Sequence, residues 1–297
     1  MGKSGRLMRM HIDLHVHTHH SPSPAFGRYQ ASDCSLKPEE AYRILKERGM
    51  DRVTFTDHDT IAGCLAFLDR HPDAKDFFIS EEVTTRLPDL RKRLHAGVFH
   101  ITEAQHGEIT RLKADAGELT AYLRAERIPY ALFHPGNQML SRKTAGPYWE
   151  RALTQFPWWE SCNGSMSPKH SEILERVLQG HPNPPMLVAG SDAHTRPRLA
   201  SSFTLFQSEG FLPRGIAGRG CTLAAQLGDV HYLIFHYLKQ VFGPSAMRKS
   251  PQVYAFVFLF GLPFTLGGLP VFLTLLHRYK LWLMSLKTPR GSYGFGI

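Results

Sequence analysis

The sequence predicts an α/β fold built from parallel βα units, and three observations support this prediction. The chain has 297 residues, 42% of them apolar and 21% charged, a balance typical of a globular protein with a sizeable core. Short β-branched or aromatic segments alternate with segments of helical periodicity between residues 10 and 189. Polar side chains, many of them histidines, directly follow several predicted strands. Such alternation favours an open parallel sheet or a barrel.

Strands and helices are predicted in the following order. The segment 10–18 is typical of a strand that ends in polar residues, and 52–56 of a short β-branched strand. The first helix, 38–48, has Pro38 in its first turn and Gly49 directly after its end. The other predicted strands are 77–80, 97–101, 130–133, 158–162 and 186–189, and the other predicted helices are 61–69, 117–127 and 169–179.

The charge divides the chain into a body, residues 1–222, and a tail, residues 223–297. The total of +9 suggests nucleic acid, anionic lipid or phosphorylated substrates as partners. The tail holds seven Lys or Arg and one acid, a net +6, so the body contributes only +3. A nucleic-acid-processing enzyme is expected to carry basic charge on its catalytic body. Nucleic acid is therefore the less favoured partner.

The tail contains a segment of membrane length, residues 252–276, which has 25 residues and no charge. As a helix it would be roughly 37 Å long, against a bilayer core of about 30 Å. Basic residues flank both of its ends, which gives no orientation, and Pro263 and Pro270 argue against a straight helix. We expect a helical tail that associates with a membrane; a buried helix of the body is the alternative.

The catalytic body is expected to be cytoplasmic. The N-terminal residues MGKSGRLMRM lack the apolar segment of a secretory signal. The four cysteines show no CxxC spacing, which argues against a zinc ribbon or a disulfide framework and fits a reducing compartment.

Histidines and acids are concentrated where the predicted strands end. In parallel α/β folds, functional sites gather at the carboxyl ends of strands. In an H-x-H strand segment both imidazoles lie on one face and can bind one metal ion, although any of these motifs alone is weak evidence. The motifs are Asp13-Leu-His15-Val-His17-Thr18, Thr56-Asp57-His58-Asp59, Glu81-Glu82-Val83-Thr84, Leu94-His95, Phe133-His134-Pro135-Gly136 and Gly190-Ser191-Asp192-Ala193-His194.

The order of these motifs resembles the PHP family, the polymerase and histidinol phosphatase domain, over roughly residues 10–205. This resemblance implies a distorted (β/α)7 barrel, similar to a TIM barrel, with two or three divalent metal ions. It also implies a hydrolase acting on phosphoric esters, that is, a metal-dependent phosphoesterase or phosphatase. The metal ligands that it implies are His15, His17, His58, Glu82, His95, His134, Asp192 and His194.

The resemblance leaves three assignments open. Glu81 competes with Glu82 as the bridging acid, and His100 competes with His95. Many family members also have an acid or histidine soon after the H-x-H-T motif, whereas here the first acid is Asp33. His20 and Asp33 are the candidates for that ligand. The missing acid concerns a third metal ion and not the first two.

The expected chemistry follows from the implied ligands. Imidazole with carboxylate suits Zn, Mn or Fe, and a pair of such ions activates water for attack on phosphorus. His58 or His194 is expected to protonate the leaving oxygen. Arg196 is the candidate for the substrate phosphate, ahead of Arg86, Arg142 and Lys143. Asp13 and Asp57 are expected to orient neighbouring imidazoles through their ring N–H groups.

The leading prediction is a phosphoesterase that hydrolyses a small phosphorylated substrate, either a phosphomonoester or a nucleotide-like ester. A non-catalytic, membrane-associated module that binds a metal or ligand is the first alternative, favoured by the missing acid after Ser21. A nuclease-type domain is the second, favoured by the pI of about 9.5 and disfavoured by the charge division.

Overall fold

The computed structural model describes residues 8–22, 32, 34–136, 145–166, 168–208, 216–218 and 278. The strands are β1 Met8–Ile12, β2 Ser80–Leu87, β3 Lys92–Phe99, β4 Tyr130–Phe133, β5 Trp158–Asn163, β6 Met186–Gly190, β7 Ser202–Ser208 and β8 Ile216–Gly218. The α-helices are α1 Pro38–Glu47, α2 Ala62–Arg70, α3 Glu103–Leu112, α4 Ala116–Ala125, α5 Ala145–Gln155 and α6 Pro168–Leu178.

These strands form a five-stranded sheet of order β2-β3-β4-β5-β6 and a three-stranded sheet of order β1-β7-β8. The α/β class is confirmed, and the expectation of parallel strands is confirmed for β4, β5 and β6 but is wrong for β2 and β3. β2 pairs antiparallel with β3, and β3 antiparallel with β4, while β4, β5 and β6 run parallel. Only residues 88–91 connect β2 to β3. A link of that length makes a hairpin, since a parallel crossover needs a dozen or more residues.

Isolated β-bridges continue the five-stranded sheet beyond its regular ladders. Val16 bridges Ala193 after β6, and Val53 bridges Phe77 before β2. The backbone N–H of Thr56 also donates to the carbonyl of Val16 at 2.7 Å. The segment around Val16 therefore lies between the end of β6 and the segment 53–58. A short strand was predicted at 52–56, and the structure has only an isolated bridge there, at Val53. The (β/α)7 barrel itself stays a prediction.

Helices α3 and α5 were absent from the sequence prediction. Helix α3 begins with a capping box, in which the Thr102 hydroxyl accepts from the Gln105 backbone N–H and the Gln105 side chain accepts in return. In helix α5, Trp149 is fully buried beside Trp159 of β5. The amphipathic helices thus cover one side of the sheet with a shared apolar core, which leaves the strand ends to carry the polar residues.

The predicted tail lies almost wholly outside the described residues, and the apolar segment 252–276 lies entirely outside them. Within the part of the chain that the structure describes, no helix combines the length and apolarity needed to span a membrane. The boundary at residue 222 and the membrane association of the tail therefore stay predictions.

Candidate metal centre

Eight side chains from separate parts of the chain meet in one cluster. The carboxyl ends of the parallel strands β4 and β6 lie at one edge of the sheet, which brings residues distant in sequence together there, while Glu82 and His95 join the cluster from within the antiparallel strands β2 and β3. The eight are His15 and His17 after β1, His58 at its bridge to β2, Glu82 in β2, His95 in β3, His134 after β4, and Asp192 and His194 after β6. All eight implied metal ligands thus lie in one cluster, although their binding of metal stays a prediction.

The carboxylate of Glu82 lies at the centre of this cluster and is fully buried. Three imidazole nitrogens surround its Oε2 atom: His15 Nε2 at 3.3 Å, His17 Nε2 at 3.2 Å and His58 Nδ1 at 3.0 Å. Two more approach its Oε1 atom: His95 Nδ1 at 2.6 Å and His134 Nε2 at 3.1 Å. One carboxylate therefore has imidazoles on both of its oxygens, as a bridging ligand would.

Asp192 forms a second, smaller part of the cluster. Its Oδ1 atom lies 3.4 Å from His15 Nε2, 3.3 Å from His17 Nε2 and 3.6 Å from His194 Nδ1. The imidazoles of His17 and His194 stack with centroids 4.2 Å apart. The H-x-H pair is consequently shared between the carboxylates of Asp192 and Glu82.

The two carboxylates are held in their ionised form. Burial opposes ionisation of Glu82, but the nearby imidazoles, His58 foremost, keep its pKa well below its usual range. Burial also opposes ionisation of Asp192, but the nearby imidazoles, His15 foremost, keep the pKa of this carboxyl well below its usual range. Burial would lower the pKa of His17, yet its contacts with Asp192 and Glu82 raise it to about 10. Glu82, which is fully buried, and Asp192, which is partly buried, therefore require positive charge beside them, from protons or from metal ions.

The donor set fits divalent metal ions. The Nε2 atom of His17 is buried and close to two carboxylates, yet it meets the geometry of a hydrogen bond with neither. A ligand nitrogen facing an ion would be placed in this way. Four groups of three donor atoms lie within 4.8 Å of one another: His15-His17-Asp192, His15-Glu82-His134, His58-Glu82-His95 and His17-His58-His194. Imidazole with carboxylate favours zinc, manganese or iron.

Glu160, on β5, is a site residue that the sequence prediction missed. Its Oε1 atom lies 2.9 Å from His15 Nδ1, and its Oε2 atom accepts from the backbone N–H of His134 at 2.8 Å and from Asn163 Nδ2 at 2.9 Å. A carboxylate behind an imidazole fixes its tautomer and raises its basicity. The available signal was a lone acid inside the predicted strand 158–162.

Asp13 and Asp57 have partners other than the expected imidazoles. Asp13 accepts from the backbone N–H groups of His15, Ser191 and Ala200. Asp57 accepts from both the N–H and the hydroxyl of Thr18, each at 2.6 Å. The expectation of direct imidazole contacts is therefore wrong. These carboxylates fix the loop backbones that carry His15 and His17.

An aromatic ring supports His15 from one side. Phe133 stacks on its imidazole, with centroids 3.8 Å apart and an interplanar angle of 14°. That ring lies over Gly97, where an added Cβ would meet Phe133 Cζ at 2.1 Å. Gly97 pairs with Glu82 in the β2–β3 register, so the absence of a side chain there makes room for the stack.

Two of the clustered residues have left-handed backbone conformations. The φ angle is +30° at His134 and +52° at Asp192, and neither residue is glycine. L-residues rarely adopt such angles, which concentrate at functional sites. His134 directly follows β4 and Asp192 lies two residues after the end of β6, and at both positions this turn directs the side chain into the cluster.

The structure separates the residues that the sequence left as alternatives. Glu81 lies 2.9 Å from His106 Nδ1, away from the five imidazoles around Glu82. His100 is exposed and stacks on Phe78 rather than joining the cluster. His20 belongs to none of the four donor groups, among the residues searched, and Asp33 lies outside the described residues.

Arg196, the candidate for the substrate phosphate, is placed elsewhere. Its guanidinium pairs with Glu40 of α1 at 2.5 Å, and its side chain is 70% exposed. Proximity in sequence to His194 therefore misled the prediction, because the 3₁₀ turn Arg196–Arg198 directs this side chain towards the surface. Arg142 and Lys143 lie outside the described residues.

The fold and the cluster together define a class: an α/β protein with a buried histidine–carboxylate centre suited to more than one divalent ion. No family model matches the chain. A curated relative, an uncharacterized protein of Methanocaldococcus jannaschii, is 35% identical over 54 residues, which are 18% of this chain. The match spans about a third, 32%, of the length of that relative.

Three solved structures are similar to this chain over most of its length. An amidohydrolase from Chromobacterium violaceum has a TM-score of 0.48 and 13% identity, covering 76% of this chain and 96% of its own. A candidate metal-dependent phosphoesterase from Bifidobacterium adolescentis has a TM-score of 0.42 and 14% identity, with coverage of 76% and 96%. The lesion-specific endonuclease EndoQ of Pyrococcus furiosus has a TM-score of 0.44 and 18% identity, with coverage of 67% and 52%.

Proposed function

We propose that the chain is a metal-dependent phosphoesterase that hydrolyses phosphomonoesters or nucleotide-like esters. The observation that carries this proposal is the Glu82 carboxylate, whose two oxygens each face imidazoles. This arrangement suits a bridge between two divalent ions. The motif order, which resembles that of PHP phosphoesterases, favours phosphate esters over other substrates.

The donor groups indicate how the ions would be divided. His15, His17 and Asp192 would hold one ion, and His58, Glu82 and His95 would hold another. His17-His58-His194 is the candidate group for a third ion. Ions bound there would supply activated water at neutral pH and would stabilise charge on the phosphoryl oxygens.

His194 is the better placed of the two predicted proton donors. Its side chain is 24% exposed, against 9% for His58, so a substrate can reach it. Its Nδ1 atom donates to the backbone carbonyl of Asp192 at 3.1 Å, which fixes the ring. His58 instead directs Nδ1 at Glu82, 3.0 Å away. We therefore assign protonation of the leaving oxygen to His194 in the enzyme whose third ion site is empty, where its Nε2 atom can carry the proton, with His58 as the alternative.

Metal analysis and a phosphatase assay test this function together. Purified protein should contain Zn, Mn or Fe and should hydrolyse p-nitrophenyl phosphate. His15→Ala and Asp192→Ala should abolish both properties. His71→Ala, which removes an exposed histidine at the end of α2, is the matched control and should change neither.

Two outcomes would redirect the proposal. A metal-loaded wild type that hydrolyses no member of a broad phosphate panel would favour a non-catalytic metal-binding module. Preferential cleavage of DNA or RNA over small phosphates would favour a nuclease.

We further propose a cytoplasmic body attached to a membrane through residues 252–276, on the strength of the length and basic flanks of that segment. Deletion of residues 245–297 should move the protein from the membrane fraction to the soluble fraction. An unchanged partition would disprove the attachment.

A further inference from the structure

An open, strongly basic cavity of about 920 Å³ lies between the β2–β3 hairpin and the end of α3. The charged residues of its lining are Arg86, Arg91, Lys92, Arg93, Lys113 and Asp59. Five are cations and one is an acid. The lining therefore carries a net charge of +4, although the body as a whole is nearly balanced.

The register of β2 and β3 connects this cavity to the metal centre. Residues directly opposite in an antiparallel pair share a face of the sheet, as do alternate residues along one strand. Glu82 is opposite Gly97, Thr84 is opposite His95, and Arg86 is opposite Arg93. One face thus presents Glu82, then His95, then an arginine pair. Four residues at about 3.4 Å each separate the backbones of Glu82 and Arg86 by roughly 14 Å.

The cations of the hairpin have no acidic partners. Within the described ranges, no ion pair forms at Arg86, Arg91, Lys92 or Arg93. The one acid of the lining, Asp59, is already engaged, because its Oδ1 atom lies 3.1 Å from Lys113 Nζ and accepts from the Thr84 backbone N–H at 2.8 Å. Like charges directly opposite on paired strands destabilise a sheet. The Arg86–Arg93 pair therefore costs stability unless an anion lies between the two side chains.

Resting on the proposed function, we infer that this cavity binds a second phosphoryl group of the substrate whose ester is cleaved at the cluster. Guanidinium groups suit phosphate because their planar N–H pairs donate two parallel hydrogen bonds to it. The separation along the strands selects an extended substrate rather than a compact phosphomonoester. A short oligonucleotide and a linear polyphosphate share this chemistry, and the assay below distinguishes them.

The test compares one-phosphate and several-phosphate ligands. Wild type, Arg86→Gln/Arg93→Gln and Arg43→Gln are assayed on p-nitrophenyl phosphate and on a 5′-phosphorylated trithymidylate. Arg43 is the matched control, since it is an exposed arginine paired with Glu47 on α1. Tripolyphosphate is the competitor, and its binding is measured by calorimetry.

The double variant should raise KM for the oligonucleotide at least about tenfold, the loss expected for charge-assisted hydrogen bonds. The kcat for p-nitrophenyl phosphate should not change. Inhibition by tripolyphosphate should weaken in parallel, and salt should reduce the wild-type preference for the longer substrate. If only tripolyphosphate responds to the substitutions, a polyphosphate compound is the source of the second phosphoryl group; if both respond, a nucleotide strand also fits.

Equal kinetics of the double variant and wild type on both substrates, together with unchanged binding of tripolyphosphate, would overturn the inference. Failure of the proposed function gives a different result. If wild type hydrolyses nothing, tripolyphosphate binding that is lost in the double variant still supports the cavity, and binding that is unchanged overturns it.

Discussion

The candidate metal centre and the basic cavity lie on the same face of the β2–β3 hairpin, yet their side chains differ in burial and in the number of polar contacts. In the centre, buried side chains such as Glu82 and His15 each have several close polar neighbours. In the cavity, exposed cations such as Arg86 and Arg93 have no acidic partner among the described residues. In the proposed function, the reaction that requires fixed geometry takes place in the interior, and the recognition that tolerates varied ligands takes place at the surface. Substitutions should have large, salt-independent effects in the centre and graded, salt-dependent effects in the cavity.

The largest effect is expected for Glu82→Gln. The amide keeps the size of the side chain but removes the negative charge that lies among five imidazoles. Metal content should fall by at least half, and phosphatase activity by more than about a hundredfold, beyond the range for loss of an indirect contact. Metal analysis and initial rates measure the two quantities. A full metal complement in this variant would show that Glu82 is not the bridge.

A smaller loss is expected for Glu160→Gln, which weakens the contact behind His15 without touching the proposed ligand atoms. Removal of such a supporting carboxylate typically costs about 10–100-fold in metal affinity or activity. Competition with a chelator measures the affinity. Glu150→Gln, at an exposed position on α5, is the control and should behave as wild type. Equal affinity in both variants would mean that other contacts suffice to hold the His15 ring.

Gly97→Ala should act through packing rather than charge. The new methyl group would lie 2.1 Å from Phe133 Cζ, so the ring stacked on His15 must move. Overpacking of this kind costs about 1–3 kcal/mol of unfolding free energy. Urea unfolding measures the cost, and Gly107→Ala is the matched control because nothing lies within 4 Å of its Cβ position. If Gly97→Ala were as stable as this control, the stack would not depend on the glycine.

The smallest effect is expected for Arg196→Ala. An exposed ion pair such as Arg196–Glu40 contributes about 0–1 kcal/mol to the free energy of unfolding. Activity on p-nitrophenyl phosphate should remain within about twofold of wild type. A tenfold rise in KM would instead support the contact between Arg196 and the substrate phosphate that the sequence predicted. The anion-binding surface would then extend beyond the hairpin.

The order of the strand-end motifs, through its resemblance to the PHP family, predicted the residues that cluster, with Glu81 and His100 left as alternatives. Residues such as His15, His134 and Asp192 come soon after strands whose apolar pattern can be recognised in the sequence, and parallel strands bring their carboxyl ends together. Helical periodicity, with start and stop signals such as Pro38 and Gly49, placed the helices α1, α2, α4 and α6 within one or two residues of their observed bounds.

The features that the sequence did not predict depend on contacts between residues that are distant in sequence. The role of Glu160 depends on the register between β5 and its neighbours, which a lone acid in an apolar run does not reveal. The partners of Asp13 are backbone N–H groups, and these carry no sequence signature. The sequence predicted a strand at 77–80, whereas β2 covers Ser80–Leu87 and turns at Pro88 and Asp89, so its antiparallel pairing, and with it the basic cavity, became visible only in three dimensions.

The left-handed backbone at His134 and Asp192 implies a conflict between stability and activity. Each such angle at a non-glycine residue costs about 1–3 kcal/mol, and the surrounding contacts must offset this cost. Glycine would relieve the strain but would also delete a proposed metal ligand. A library of variants selected for heat resistance alone should therefore accumulate glycine at these two positions. The most thermostable variants should be the ones that have lost phosphatase activity.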